Sequence, residues 1–346
     1  MTAIGFVGLG AMGSRIAGRL LEGNTLYGTN RTASRASELT RRGMVWRGTP
    51  REVAEAAAVI FSMVTDDAAL AAVTSGPDGI LAGLAPGTIY VDMSTVSPQA
   101  SRELAQQVRA LGASMLDAPV SGTVTAATDG TLTIMAGGPE ETFRAAEPLL
   151  RRLGRTITYI GANGQALLLK LAINISLAAQ MLAFSEGVLL AGRGGIDPAL
   201  ATQVMTGSAI GSPMLQARAP LVLNLPEQAW FDVELMHKDI GLALETGRQL
   251  NVPLPSAAAA DALLARAEEL GDVSHSPSRQ RRRQPSSLQR SGSPFRGLHP
   301  GRPGVRSQPR QHRPSARDLF CLGDFRPREA AGRPAIVRGQ GRTVVC

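Results

Sequence analysis

The sequence predicts an α/β chain: a doubly wound parallel sheet first, then one long helix leading into an all-α domain. Three observations carry this prediction. Short β-branched or apolar runs alternate with helical patterns through the first half of the chain. A long apolar stretch with helical periodicity begins near Gln165, and helical patterns alone continue from there to about residue 270. Alternation of this kind implies crossover helices on both faces of a parallel sheet, because consecutive parallel strands cannot be joined by a tight turn.

Strands are expected at residues 4–7, 26–29, 59–64, 88–92, 114–117 and 132–136, and a helix at 11–21 follows the first of them. Later helices are expected at 165–192, from Pro198 onward, at 232–250 and at 256–270. The most apolar part of the long helix, 177–191, is interrupted by Gln180, Ser185 and Glu186, which favours a buried helix over a membrane span. The chain then divides into residues 1–163, residues 164–270 and a tail at 271–346.

The tail differs in composition from the rest. Up to residue 270 there are 20 Lys and Arg against 24 Asp and Glu, whereas the remaining 76 residues carry 16 Arg and only 4 acids. The overall charge of +8 therefore says little about what the body of the protein binds. Arg279 to Arg283 read RQRRR among scattered Pro, Ser and Gly with no apolar face, which reads as a disordered extension. A basic arm contacting nucleic acid or anionic lipid is the less favoured reading, since no aromatics interleave the charges. Translation in a shifted frame would leave the same signs: a helical pattern that stops mid-course and no lysine beyond it. Both cysteines, Cys321 and Cys346, fall in the tail, so no disulfide or Cys-based metal site is expected in the body. With a strand-like run at the start in place of a signal peptide, the expected compartment is the cytoplasm.

Gly8-Leu9-Gly10-Ala11-Met12-Gly13 follows the first expected strand and opens the first helix. In GxGxxG the first glycine permits the turn, the second lets the backbone approach a pyrophosphate and the third lets helix and strand pack closely. This is the dinucleotide-binding signature of a Rossmann domain, with the phosphates on the helix N-terminus. At the end of the second strand stand Thr29-Asn30-Arg31-Thr32 with no acid to bind a ribose 2′-hydroxyl. Arg31 offers a guanidinium to a 2′-phosphate and Asn30 and Thr32 add neutral donors, so NADP is expected over NAD.

Lys170 and Lys238 are the only lysines, so surface cations elsewhere are all arginine. An ammonium that persists against that bias suggests a task needing a compact group that can shift its pKa and pass a proton. Lys170 lies within Leu167-Leu168-Leu169-Lys170-Leu171-Ala172-Ile173-Asn174, where a charge without a role would be costly. Asn174, four residues on, shares its helical face.

The loop GLGAMG, the segment Asp117-Ala118-Pro119-Val120-Ser121-Gly122, the Lys170/Asn174 pair and Lys238-Asp239 occur in an order and spacing that resembles the β-hydroxyacid dehydrogenases. The resemblance spans residues 1 to about 270. It implies that Ser121 and Gly122, with Thr123 beside them, bind a substrate carboxylate, that Lys170 is the catalytic acid or base, and that Asn174 orients it. It also implies that Thr95 and Lys238 lie near the nicotinamide, and that Val64 and Thr65 touch the cofactor at the sheet's switch point. The expected reaction is hydride transfer between NADP and a small β-hydroxyacid. The long apolar helix makes a homodimer or larger homo-oligomer the expected assembly.

Three positions depart from the family pattern: Thr123 replaces a second glycine, Ile173 replaces the first of two asparagines, and Gly164 stands six residues before the lysine instead of four. These departures bear on substrate identity more than on reaction type. Imine reductases share the fold but typically carry Asp or Tyr at the lysine position, so Lys170 argues against that branch. A non-catalytic dinucleotide scaffold with a nucleic-acid-binding tail is the alternative from a different class.

Overall fold

The computed structural model describes residues 2–224 and 233–269. The strands are β1 (Ala3–Val7), β2 (Thr25–Thr29), β3 (Val45–Trp46), β4 (Val59–Ser62), β5 (Ile89–Asp92), β6 (Ser114–Asp117), β7 (Val120–Ser121), β8 (Leu132–Gly137) and β9 (Gly154–Gly161). The first eight helices, all within the sheet domain, are α1 (Ala11–Leu21), α2 (Ser37–Arg41), α3 (Pro50–Glu55), α4 (Asp67–Thr74), α5 (Ile80–Gly83), α6 (Pro98–Ala110), α7 (Val124–Asp129) and α8 (Glu140–Leu150). Then come α9 (Gln165–Arg193), α10 (Pro198–Gly207), α11 (Pro213–Leu223), α12 (Val233–Gln249) and α13 (Pro255–Glu269).

The strand order is β3-β2-β1-β4-β5-β6-β8-β7, with β9 paired to β8. From β3 to β6 every pairing is parallel, and the order reverses between β1 and β4. The expected doubly wound parallel sheet is therefore present, and beyond it β8 runs antiparallel to both β6 and β7. The segment Pro119 to Gly122 turns back toward the sheet through the two-residue β7, too short to show a period in sequence. β9 was also missed, because its alternating TITYI run lies at an edge and is only half-buried.

Two apolar clusters cover the two faces of the sheet. One holds Ile4, Phe6, Leu26 and Phe61, the other Ile60, Tyr90, Met115 and Leu167. Leu167 belongs to α9, so the long helix starts inside the core of the sheet domain. Its continuation supplies Ala178 and Leu182 to one helical core and Met181, Phe184 and Val188 to another. One rigid element therefore spans both domains and carries Lys170 at the junction.

The expected burial of α9 is corrected in degree. The helix is long and apolar enough to cross a membrane by composition, and only 33% of its most apolar window is buried. It packs nonetheless against α10, α11, α12 and α13. Leu190 is 76% exposed, and Ile196, Leu200, Val204 and Ile210 beyond it also stay at the surface.

The helix at Pro213 was not expected, because Pro220 interrupts its pattern. Its start was legible: the Ser212 hydroxyl accepts from Leu215 N at 3.2 Å, with Pro213 next in the chain. That is a Ser cap followed by a first-turn proline. The expected tail at 271–346 lies outside the described residues.

Candidate active site

Between β1 and α1 each glycine has a separate reason. Gly8 has a φ of 97°, and a Cβ there would lie 2.3 Å from the Met63 carbonyl oxygen. Left-handed backbone and contact with the end of β4 both exclude a side chain. A Cβ on Gly13 would meet the Gly8 carbonyl oxygen at 2.0 Å, so α1 packs directly on the loop. Gly10 is the opposite case, with nothing within 4 Å of an added Cβ: its outer side is open. No side chain caps α1 and no acid occupies its first turn, which leaves its N–H groups and positive dipole end to an anion. These features fit a dinucleotide pyrophosphate.

Two expected cofactor residues also bond within the loop. The Leu9 side chain is buried, and its N–H donates to Asn30 Oδ1 at 2.9 Å. The other end of that amide, Asn30 Nδ2, donates to the Thr32 carbonyl at 3.0 Å. Asn30 thus pins the glycine loop to the end of β2 through its oxygen and one N–H of its amide. Arg31, Thr32 and Ala11 are exposed there.

Beyond the switch point, Tyr90, Ser62, Asp92 and Ser94 form a buried chain that the sequence reading missed. Ser62 Oγ donates to Asp92 Oδ1 at 2.6 Å and Ser94 Oγ to the same oxygen at 2.7 Å. Val64 N in turn donates to Ser94 Oγ at 2.9 Å. Burial pushes the Asp92 carboxyl above the usual carboxylate range. This network fixes where β4 and β5 end, and with them the exits of Val64 and Thr65. Its signal was a hydroxyl and an acid ending adjacent apolar strands.

A cavity of about 280 Å³ lies where the two domains meet. The sheet domain contributes Met12, Met63, Met93, Thr95 and the segment from Val120 to Val124; the helices contribute Lys170, Asn174, Leu177, Met214, Arg218 and Asp239. Ser121 is held by pairing of β7 with β8, opposite Thr133. Gly122 has a φ of 149°, and a Cβ there would come within 2.8 Å of the Leu132 side chain. Thr123 faces the cavity, but its hydroxyl accepts from Ala126 N at 3.2 Å and so caps α7.

Lys170 is half-buried on the helical wall, and its pKa is pushed down to about 8. Burial is the main cause; Asp239 pulls in the opposite direction, while Lys238 and Arg218 depress it further. Asn174, one turn along and buried, donates from Nδ2 to Asp239 Oδ2 at 2.5 Å. The second carboxylate oxygen, Oδ1, is 2.7 Å from Lys238 Nζ. Lys238 Nζ also donates to the Thr95 carbonyl, which ties α12 to the sheet domain. Asn174, Asp239, Lys238 and Thr95 therefore form a continuous chain behind Lys170.

The start of α9 is fixed independently. Asp117 Oδ1 accepts from Gly164 N at 2.8 Å and from Asn163 Nδ2 at 3.2 Å. Burial raises the Asp117 pKa to about 6 despite these bonds. Gly164 has a φ of 86°, the left-handed turn that aims the helix, so the displaced glycine has a local structural reason.

Thr95, Ser121, Gly122, Thr123, Lys170, Asn174 and Met12 thus share one cavity, with Lys238 directly behind it. The three loop glycines, the 30–32 segment, Val64 and Thr65 do not line it; they stand along the strand ends that lead to it. Sequence reasoning overlooked Arg218, one arginine among many, and the part played by Asp239, which had a signal in its place next to Lys238.

Two family models match the chain. The NAD binding domain of 6-phosphogluconate dehydrogenase covers residues 3–161, and the NAD-binding domain of NADP-dependent 3-hydroxyisobutyrate dehydrogenase covers 163–277. A 2-hydroxy-3-oxopropionate reductase of Escherichia coli is 36% identical over 255 residues, covering 74% of this chain and 87% of that protein. Among solved structures, a 3-hydroxyisobutyrate dehydrogenase from Salmonella typhimurium superimposes with a TM-score of 0.72 at 29% identity, covering 78% of this chain and 94% of that one. Psf3 in complex with NADP+ and 2-OPP also gives a TM-score of 0.72, at 27% identity, covering 78% and 96%.

Proposed function

Because the chain belongs to the NAD(P)-dependent β-hydroxyacid dehydrogenase family, we propose that Lys170 is its general acid and base, acting on a small β-hydroxyacid or the matching semialdehyde with NADP as cofactor. A bound nicotinamide supplies the hydride in reduction and accepts it in oxidation. The chain's own residues do the rest. Ser121 and Gly122 hold the substrate carboxylate, which sets the reacting carbon in the cavity. As the carbonyl is reduced, the Lys170 ammonium stabilises the charge growing on its oxygen and passes a proton to it. In the reverse direction the neutral amine takes the hydroxyl proton. The chain from Asn174 through Asp239 and Lys238 to Thr95 holds the lysine's helix against the sheet domain, so that the geometry is preset.

The observation that carries this reading is Lys170 on the cavity wall with a pKa near 8, where both protonation states are populated close to neutral pH. Support for NADP comes from exposed Arg31 and the absence of an acid at the end of β2, and from the NADP+ bound in Psf3. The exposed apolar residues around Leu190, Leu200 and Val204 support association with a second copy, which light scattering measures. The decisive experiment screens small semialdehydes and β-hydroxyacids by NADPH absorbance with the native protein and Lys170→Ala. Turnover lost in the variant with NADPH binding retained is expected; turnover retained would remove Lys170 from the mechanism.

A further inference from the structure

Resting on that reading, we propose that Asp117 is a positioning residue whose ionised carboxyl fixes the spacing between the Ser121–Gly122 segment and Lys170. β6 ends at Asp117, opposite Gly137 of β8, and the same β8 places Ser121 opposite Thr133. Lys170 follows Gly164 by six residues, about 9 Å along α9 at 1.5 Å per residue. Asp117 Oδ1 accepts from Gly164 N at 2.8 Å and from Asn163 Nδ2 at 3.2 Å. One fully buried carboxyl therefore links the strand that leads to the substrate segment with the helix that carries the lysine.

The surroundings suit a charged group there. No side chain caps the start of α9, so Asp117 meets the unsatisfied N–H groups and positive dipole end of that helix. Gly137 leaves the necessary room, since a Cβ on it would lie 2.8 Å from Asp117 Oδ2. Oδ2 is buried and has no hydrogen-bond partner among the described residues, which makes it the oxygen that takes a proton. Protonation turns Oδ1 into a neutral, weaker acceptor, and the start of α9 loosens. Burial raises the pKa to about 6, against hydrogen bonds from Gly164, Asn163 and Leu167 that lower it. Charged groups on the neighbouring elements have other roles. Asp92 on β5 pairs with Asp117 in register but accepts from Ser62 and Ser94. On α6, Arg102 Nη1 would lie 2.9 Å from a Cβ on Gly164. At the surface of α8, Glu140 pairs with Arg144 and Glu147 with Arg151. The first charge along α9 is Lys170 itself, on the cavity wall.

The test compares the native protein with Asp117→Asn, which keeps the acceptor and loses the charge. Reduction of 2-hydroxy-3-oxopropionate by NADPH is followed from pH 5 to 9.5. In the native protein kcat is expected to fall below about pH 6 as well as above about 8, the second limb belonging to Lys170. Asp117→Asn should lose the acid limb alone, with kcat at pH 7 lowered about three- to tenfold and NADPH binding unchanged. An acid limb absent from the native protein or retained in the variant, or a loss confined to NADPH binding, overturns the proposal. Hydrogen exchange at the Gly164 amide, corrected for its intrinsic pH dependence, reads the link without turnover. Protection that drops below pH 6 in the native protein, and is already low at pH 7 in Asp117→Asn, supports the link. Should the same protein keep its turnover in Lys170→Ala or show none at all, the link stands and the lysine chemistry falls; protection indifferent to Asp117 and to pH removes the link.

Discussion

Lys170→Met should make the protein more stable while abolishing its activity. The Lys170 pKa is pushed from 10.5 down to about 8, so the folded state holds this proton more weakly than the unfolded chain. Below pH 8 both states are protonated, and the folded state bears the full cost of a half-buried ammonium. At about 1.36 kcal/mol per pKa unit, this cost is about 3 kcal/mol at pH 7. Between pH 8 and 10.5 the folded amine becomes neutral first and the native protein gains stability, so the advantage of methionine falls to roughly half at pH 9.5 and disappears above 10.5. Methionine keeps the aliphatic length, and Asp239 retains its contacts with Asn174 and Lys238, so the substitution leaves no newly orphaned charge. Thermal unfolding of the two proteins across pH 6 to 9.5 measures the effect: a rise of roughly 6–12 °C for the variant at pH 7, shrinking with pH, is expected for a body of this size. The same samples should show turnover reduced by about 10²-fold or more. A variant less stable than the native protein, or a difference independent of pH, would refute the claim that burial of this amine sets its pKa.

Further outcomes follow from the same geometry. Since the neutral amine is the base, kcat/KM for hydroxyacid oxidation should rise with pH and level off above about 8, whereas reduction should decline through the same range; a profile flat from pH 6 to 9.5 contradicts it. Asp239→Asn removes the carboxylate that raises the Lys170 pKa, so the rising limb of the oxidation profile should move to lower pH, with turnover reduced as Asn174 loses a charged partner. Arg31→Glu should weaken NADPH binding by about tenfold or more, with a much smaller effect on NADH; parallel losses would show that Arg31 does not meet the 2′-phosphate. Gly13→Ala places a methyl 2.0 Å from the Gly8 carbonyl oxygen, and fluorescence titration should show cofactor binding lost together with a clear drop in Tm.

What the sequence determined by itself is whatever depends on neighbours along the chain. The βα alternation, the glycine loop and the run around Lys170 write their structure in local periodicity, and β1, α1, α9 and α12 appear within a residue or two of where the pattern puts them. The lysine itself was legible because arginine fills every other cationic position up to it. Tertiary structure decided the rest, because those features depend on residues far apart in sequence. The antiparallel turn at β7 and β8 is set by pairing across the sheet, and the capping role of Thr123 by its place at the start of α7. The chain from Asn174 to Thr95 spans two domains and 143 residues between Lys238 and its acceptor. No period marks Arg218 either. Its side chain joins the cavity wall only because α11 packs against α9.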